Sequence, residues 1–148
     1  MMTKMFENRI DWRIEWGDCD PAAIVFYPNY FRMFNMATDA LFEAAGFAPA
    51  SAFERFGIIG YPMIDTRATF ASPNRFGDQV VIASHIAKWG RSSFEVHHSI
   101  FNQSRLSVEG FEKRVWAASQ PDGSLKGRAV PDEVRKVMLP ADGRMDHV

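Results

Sequence analysis

Two carboxylates and a tight turn stand directly ahead of an apolar helical segment in Gly17-Asp18-Cys19-Asp20-Pro21-Ala22-Ala23-Ile24-Val25-Phe26-Tyr27, followed by Pro28-Asn29-Tyr30. A helix N-terminus carries unpaired backbone N–H groups and a partial positive charge, so it can polarise a carbonyl held beside a carboxylate. That combination suits acyl transfer. The Gly-x-Ser-x-Gly elbow of an α/β-hydrolase does not occur in the chain.

Each of these residues also has a plainer reading. An aspartate in a Gly/Pro-rich loop commonly accepts backbone N–H bonds in an Asx-type turn, and Asp18 is read in that structural role. Asp18 and Asp20 are two apart without a His or Cys cluster nearby, which falls short of a metal site. Cys19 lies beside them as a possible nucleophile, yet isolated cysteines are more often inert. His97 and His98 are adjacent and therefore point to opposite sides of a strand, one packed and one wet, and His85 and His147 have no evident partner. No metal or separate cofactor is expected.

The elements that must position the loop are legible from periodicity. Arg9 to Trp16 alternates, with Ile10, Trp12, Ile14 and Trp16 on one side, and reads as a half-buried strand. Gly17 to Pro28 is loop. Asn29 to Ala45 reads as helix closed by Gly46, with Arg32, Asn35, Asp39 and Glu43 forming one narrow polar stripe on an otherwise apolar rod that something must wrap. Ala48 to Gly57 is a connector with about one helical turn, and Ile58 to Ala71 is extended, with Pro62 at an edge, bulge or strand start. Asp78 to Trp89 and Ser93 to Phe101 are strands, the latter turning Phe94, Val96, His98 and Ile100 to one face. Leu106 to Ser119 changes phase near Gly110, which suggests a bulge. Pro121-Asp122-Gly123 turns into Ser124 to Val130 as a hairpin, Pro131 to Met138 is a short helix, and 141–148 is a tail. The pattern predicts a single α+β domain over 1–140, an antiparallel sheet of about five strands coating one long helix, with a face left for a partner subunit.

Composition narrows the class further. The chain has 148 residues, a net charge of −1 and 47% hydrophobic residues, ordinary for one globular domain and without a basic field to recruit nucleic acid or an anionic membrane. The eight Met and thirteen Phe are core and pocket lining. One cysteine, no apolar leader-like run at the N-terminus and no run near the roughly 20 apolar residues of a membrane span lead to the expectation of a cytoplasmic protein.

The segment from Gly17 to Tyr30 resembles the active-site motif of the 4-hydroxybenzoyl-CoA thioesterase family of hot-dog-fold proteins, in the subgroup whose catalytic carboxylate lies in the loop before the helix. The likeness continues through Gly57-Ile58-Ile59-Gly60-Tyr61-Pro62, Trp89-Gly90-Arg91-Ser92-Ser93-Phe94 and Asp122-Gly123 to Arg128-Ala129-Val130, most of the chain. The resemblance implies a hot-dog fold and acyl-CoA hydrolysis, with Asp20 as nucleophile or general base and the backbone N–H of Tyr27 on the thioester oxygen. A thioester fits such an apparatus, since a thiolate leaves readily and a carboxylate without a full triad is enough. It also implies that Ile59, Gly60 and Tyr61 come from the neighbouring subunit of a homo-oligomer, a dimer or dimer of dimers. Lys88, Arg91, Lys126 and Arg128 would meet the phosphates of CoA, Arg91 and Arg128 first, against the plainer reading as solvated strand residues. CoA is then part of the substrate.

Two positions depart from the family pattern. Asn35 stands where the resembled enzymes carry an aspartate facing the phenol end of the substrate, and Tyr61 where they carry a threonine ahead of Pro62. An asparagine can still hydrogen-bond a ring hydroxyl, but without charge, so the acyl group is 4-hydroxybenzoyl-like, another aromatic acid, or a larger apolar chain. Hot-dog hydratases place a His a few residues after their Asp, and here none follows Asp20 before His85. A short- or medium-chain thioesterase and a non-catalytic acyl-CoA-binding domain are the remaining alternatives.

Overall fold

The computed structural model describes residues 4–141; the N-terminal three residues and most of the expected tail, with His147, lie outside the described residues. The elements run β1 (Glu7–Arg13), α1 (Pro28–Ala44), α2 (Pro49–Phe56), β2 (Met63–Phe70), β3 (Gln79–Trp89), β4 (Ser93–Asn102), β5 (Arg105–Val115), β6 (Ala117–Ser119), β7 (Leu125–Gly127) and α3 (Asp132–Val137). Five antiparallel strands form one sheet in the order β1-β3-β4-β5-β2, and β6-β7 form a hairpin of their own. The sheet curls round α1, the coated helix that the pattern predicts and the hot-dog fold that the resemblance implies. No helix among the described residues is long and apolar enough to cross a membrane.

Helix α1 takes its boundaries from local chemistry. Pro28 occupies the first turn, where its missing N–H costs nothing. At the other end Gly46 adopts φ +94, its N–H reaching Glu43 O at 3.0 Å while Phe47 N–H reaches Phe42 O at 2.8 Å, a Schellman closure that spares the last carbonyls. The helix buries Tyr30, Met33, Phe34, Ala37, Thr38, Leu41 and Phe42, and leaves Arg32, Asn35 and Glu43 of the polar stripe exposed. Two apolar clusters result. One joins Tyr30, Met33 and Phe34 to Ile82, Ile100 and Val108; the other joins Leu41 and Phe42 to Ile86, Trp89, Phe94 and Trp116. Thr38, Ser84 and His98, fully buried, fall between the two along their elements.

Several expectations need correction. The first strand ends at Arg13 and Trp16 is 73% exposed, because Trp16–Asp18 coil into a 3₁₀ turn that carries Trp16 off the strand's inner face. The connector after Gly46 holds a two-turn helix, started by Pro49 and stopped by Gly57 at φ +66. Gly110 is not a bulge: it pairs in regular register with both Ala68 and His98, and the shift in β4–β5 falls instead at Ile100/Phe101. Gly110 is small because the Phe34 ring lies on it, where a Cβ would overlap the ring. The apparent change of phase arose because the inward positions beyond Val108 are Gly110, Glu112 and Arg114, which a hydrophobic pattern cannot register. His85 does have a neighbour, since the β3–β4 register sets it opposite His97 with ring centroids 5.2 Å apart.

Replacing Gly110 with Ala forces Phe34 off its seat and should lower stability by roughly 1–3 kcal/mol in urea unfolding, with Phe34→Leu in the same chain recovering part of the loss. An unchanged midpoint would contradict this packing.

Candidate active site

The loop between β1 and α1 is held by Asp18. Its side chain is buried; Oδ2 accepts from Glu15 N–H at 2.8 Å and from the Trp12 indole at 3.4 Å, and Oδ1 faces Arg32 at 3.3 Å. Its carbonyl accepts from Phe26 N–H and from the Asn29 amide, both at 2.9 Å. The structural reading of Asp18 is correct. A second anchor is the fully buried Asn74, whose side-chain amide donates to Tyr30 Oη and Ser107 Oγ at 3.0 Å while its backbone carbonyl takes Val25 N–H at 2.9 Å.

Between these anchors the chain makes a narrow turn. Asp20 N–H bonds Ile24 O at 3.0 Å and Ala23 N–H bonds Asp20 O at 2.8 Å, with Ala23 at φ +67 closing a three-residue loop. The Asp20 carboxylate is half-buried; Oδ1 accepts Ala22 N–H at 2.8 Å, and Oδ2 has no donor among the described residues. Tyr27 caps α1. Its N–H has no acceptor among the described residues, whereas Asn29 N–H and Tyr30 N–H turn back to Phe26 O and Tyr27 O. A free carboxylate oxygen and a free amide donor thus flank the start of one helix, a geometry able to attack or hydrate a carbonyl while stabilising its oxyanion.

The other predicted substrate residues lie farther along α1. Ile59 is exposed, Gly60 adopts φ +147 and bridges Ala117, whose N–H donates to Gly60 O at 3.0 Å, and Tyr61 is 5% exposed, its ring stacked on Phe42 at 4.8 Å. Tyr61 Oη donates to Asp39 Oδ1 at 3.0 Å. Asp39, Phe53, Ile59, Gly60, Tyr61 and Arg114 border a groove of about 310 Å³. Twelve residues separate Tyr27 from Asp39, about 18 Å of helix axis, so one protomer does not bring this groove to Asp20. Asn35 lies between the two on the exposed stripe, its Oδ1 accepting from Arg114 Nη2 at 2.9 Å.

Arg114 belongs to a buried polar network that sequence reasoning missed. It makes two bonds to Glu112, Nε to Oε1 and Nη2 to Oε2, each at 3.0 Å, and a third to Tyr61 O at 3.1 Å. Thr38 Oγ1 donates to Glu112 Oε1, His98 Nε2 lies 3.3 Å from the same oxygen, and His98 Nδ1 lies 2.7 Å from Ser84 Oγ. Burial opposes ionisation of Glu112, but the hydrogen bonds from His98 and Arg114 outweigh it and hold its carboxyl down at about 2. Burial pushes the His98 imidazole down against the pull of Glu112. The one available signal was Thr38, His98 and Glu112 each sitting at an inward position of an apolar element.

Three of the four predicted basic residues share a second groove, of about 620 Å³, where Arg91, Lys126 and Arg128 meet Ser119 and Gln120. Arg128 Nη1 also reaches Gly57 O at 3.3 Å. Lys88, opposite Glu95 on β4, does not border this groove. Arg135, also missed from sequence, is buried and clamps the Gly90 and Arg91 carbonyls at 2.6 and 2.8 Å, which fixes the turn that carries Arg91.

Residues 14–138 match the family model described as thioesterase-like superfamily. The chain belongs to the thioesterase-like superfamily. It is 34% identical over 137 residues to the 4-hydroxybenzoyl-CoA thioesterase of Pseudomonas sp. (strain CBS-3), covering 88% of this chain and 89% of that one. The solved structure of the 4-hydroxybenzoyl-CoA thioesterase from that strain superposes with a TM-score of 0.82 at 31% identity, over 88% of this chain and 98% of the other. A solved gentisyl-coenzyme A thioesterase superposes with a TM-score of 0.76 at 30% identity, again over 88% and 98%. Thioester hydrolase is accordingly the enzyme class of this chain.

Within this thioesterase-like domain the lone cysteine is not activated. Burial and then the Asp18 carboxylate push the Cys19 thiol up, and its Sγ is turned to Glu15 O at 3.7 Å. Among the described residues no group of three or more His, Cys, Asp and Glu is arranged to hold a metal ion.

Cys19→Ser should leave thioester turnover nearly intact; a folded but inactive variant would make the thiol the nucleophile. For Glu112, a folded-state value of about 2 against an ordinary 4.5 means stability is present above pH 4.5 and lost as pH falls towards 2, by about 3 kcal/mol. Glu112→Gln should remove that acid-side slope and, by leaving Arg114 uncompensated, cost roughly 3 kcal/mol at pH 7 in urea unfolding.

Proposed function

We propose that this enzyme hydrolyses aromatic acyl-CoA esters, 4-hydroxybenzoyl-like in size, to the free acid and CoA, with Asp20 as nucleophile or general base and the Tyr27 N–H on the thioester oxygen. The observation that carries the reading is the pairing of an unbonded Asp20 Oδ2 with an unbonded Tyr27 N–H at the start of α1. The thioester oxygen gains charge as the carbonyl is attacked, and a preorganised backbone donor at the positive end of a helix stabilises that charge more than the ground state. Asp20 either adds to the carbonyl carbon, expelling the CoA thiolate to leave an anhydride that water opens, or takes a proton from a water that adds directly. Both routes balance as thioester plus water giving acid and thiol.

The substrate spans two grooves. Arg91, Lys126 and Arg128, convergent and exposed, suit the phosphates of CoA, and Arg offers the planar fork that binds phosphate in two places. The acyl end goes to the groove at Ile59, Gly60 and Tyr61. Because that groove is remote from Asp20 in one protomer, the complete site is assembled between two copies, in a dimer or dimer of dimers. The exposed edge strand β2 supports this, with Met63, Ile64 and Phe70 exposed on it and Phe26, Tyr27 and Ile59 exposed as well. A single cysteine accords with work in a reducing cytoplasm.

The test is release of thiol from benzoyl-, hydroxybenzoyl- and straight-chain acyl-CoA esters. Asp20→Asn should lose roughly 10²–10⁴-fold in kcat with its fold unchanged, whereas Tyr27→Phe, which keeps the backbone donor, should change kcat little. Turnover of straight-chain esters alone would reassign the enzyme to aliphatic substrates, and no turnover at all would favour a non-catalytic acyl-CoA-binding domain.

A further inference from the structure

The groove beside Asp39 contains polar atoms that the reading above leaves without a task. Asp39 Oδ1 accepts the Tyr61 hydroxyl at 3.0 Å, and among the described residues Oδ2 has no donor. Burial, then the nearby Asp39 charge, pushes the Tyr61 phenol far above its ordinary range, so the proton stays on Tyr61 and the bond to Asp39 has a fixed direction. Arg114, on the same wall, already serves Glu112, Tyr61 O and Asn35 Oδ1. A guanidinium only donates, so Asn35 must turn its carbonyl oxygen to Arg114, which takes one of that oxygen's two lone pairs. Asn35 does not border this groove and its oxygen already holds one donor, whereas Asp39 borders it with Oδ2 unbonded. Phe53 and Ile59, which border the same groove, add apolar side chains to it.

We propose that Asp39 is the specificity-determining residue for the acyl group: its free carboxylate oxygen accepts a hydrogen bond from a hydroxyl carried on the ring of an aroyl-CoA. The inference rests on the thioesterase reading and on delivery of the acyl group to this groove. A ring of that kind fills the apolar wall and satisfies the carboxylate at once. An unsubstituted aroyl or a straight chain would strip water from Asp39 and return nothing, and an acyl group ending in a carboxylate would be repelled. The aspartate expected at position 35 is thus replaced in function by one a helical turn further on, with Tyr61 as its support. That replacement accounts for the two departures of this sequence, Asn35 and Tyr61, together.

The experiment compares kcat and KM on benzoyl-CoA, 3-hydroxybenzoyl-CoA and 4-hydroxybenzoyl-CoA for the wild type, Asp39→Ala and the near-isosteric Asp39→Asn. The wild type should prefer one hydroxylated ester over benzoyl-CoA by at least ~10-fold in kcat/KM. Asp39→Ala should abolish that preference, mainly by raising KM for the preferred hydroxylated ester more than for benzoyl-CoA. Asp39→Asn should reduce the preference even if the alanine variant does not fold. A loss equal on all three esters would mean a merely structural role, and an unaltered preference in both variants would also overturn the proposal while leaving the thioesterase reading intact. No turnover of any ester by the wild type would overturn both.

Discussion

The buried carboxylate of Asp18 is the constraint on which the active loop depends. A carboxylate only 3% exposed is costly unless its lone pairs are filled, and here a backbone N–H, an indole N–H and a guanidinium fill them. Its own carbonyl is held by Phe26 and Asn29, so one residue ties the end of β1 to the start of α1. Between those ties only the turn from Asp20 to Ile24 is left to fold, and that turn directs one Asp20 oxygen inward to Ala22 N–H and leaves the other unbonded. The neighbouring aspartates thus divide the work: one is spent on structure so that the other is available for chemistry.

A second polar device locks the helix to the sheet. Glu112 gathers Thr38 from α1, His98 from β4 and Arg114 from its own strand, between two apolar clusters that alone would allow α1 to slide. Phe34, pressed onto Gly110 and stacked on His98 at 4.8 Å, adds a steric key at the same level. The network also reaches the surface through Arg114, which orients Asn35 and borders the groove at Asp39. Packing and recognition are therefore coupled through one ion pair.

Much of this was legible in the sequence, and the limits have physical causes. The long helix, its Gly46 stop, the alternation of β4 and the chemistry-bearing loop all follow from short-range rules that the structure obeys. Asp20, Tyr27, Arg91 and Arg128 were marked by the family resemblance. Glu112 and Arg114 were not, because a hydrophobic pattern scores buried polar residues as outward-facing, and His98, although read on the inward face of its strand, gave no sign of its partner. Gly110 was misread for the same reason, and Trp16 because alternation continued past the point where Asp18 coils the chain. Asp39 looked like a solvated stripe residue until Tyr61 was found bonded to it.

Asp20 lies ahead of α1 and Asp39 about three turns along it, and in the proposed function two copies meet, with the exposed β2 edge as the surface offered for that meeting. The most direct measurement is a crystal structure with a non-hydrolysable thioester analogue of a hydroxybenzoyl-CoA. The account predicts the carbonyl oxygen at about 2.7–3.1 Å from Tyr27 N, with Asp20 Oδ2 turned to the carbonyl carbon and the ring entering the partner's groove. An analogue bound with Asp20 facing bulk solvent and Tyr27 N–H unengaged would contradict it.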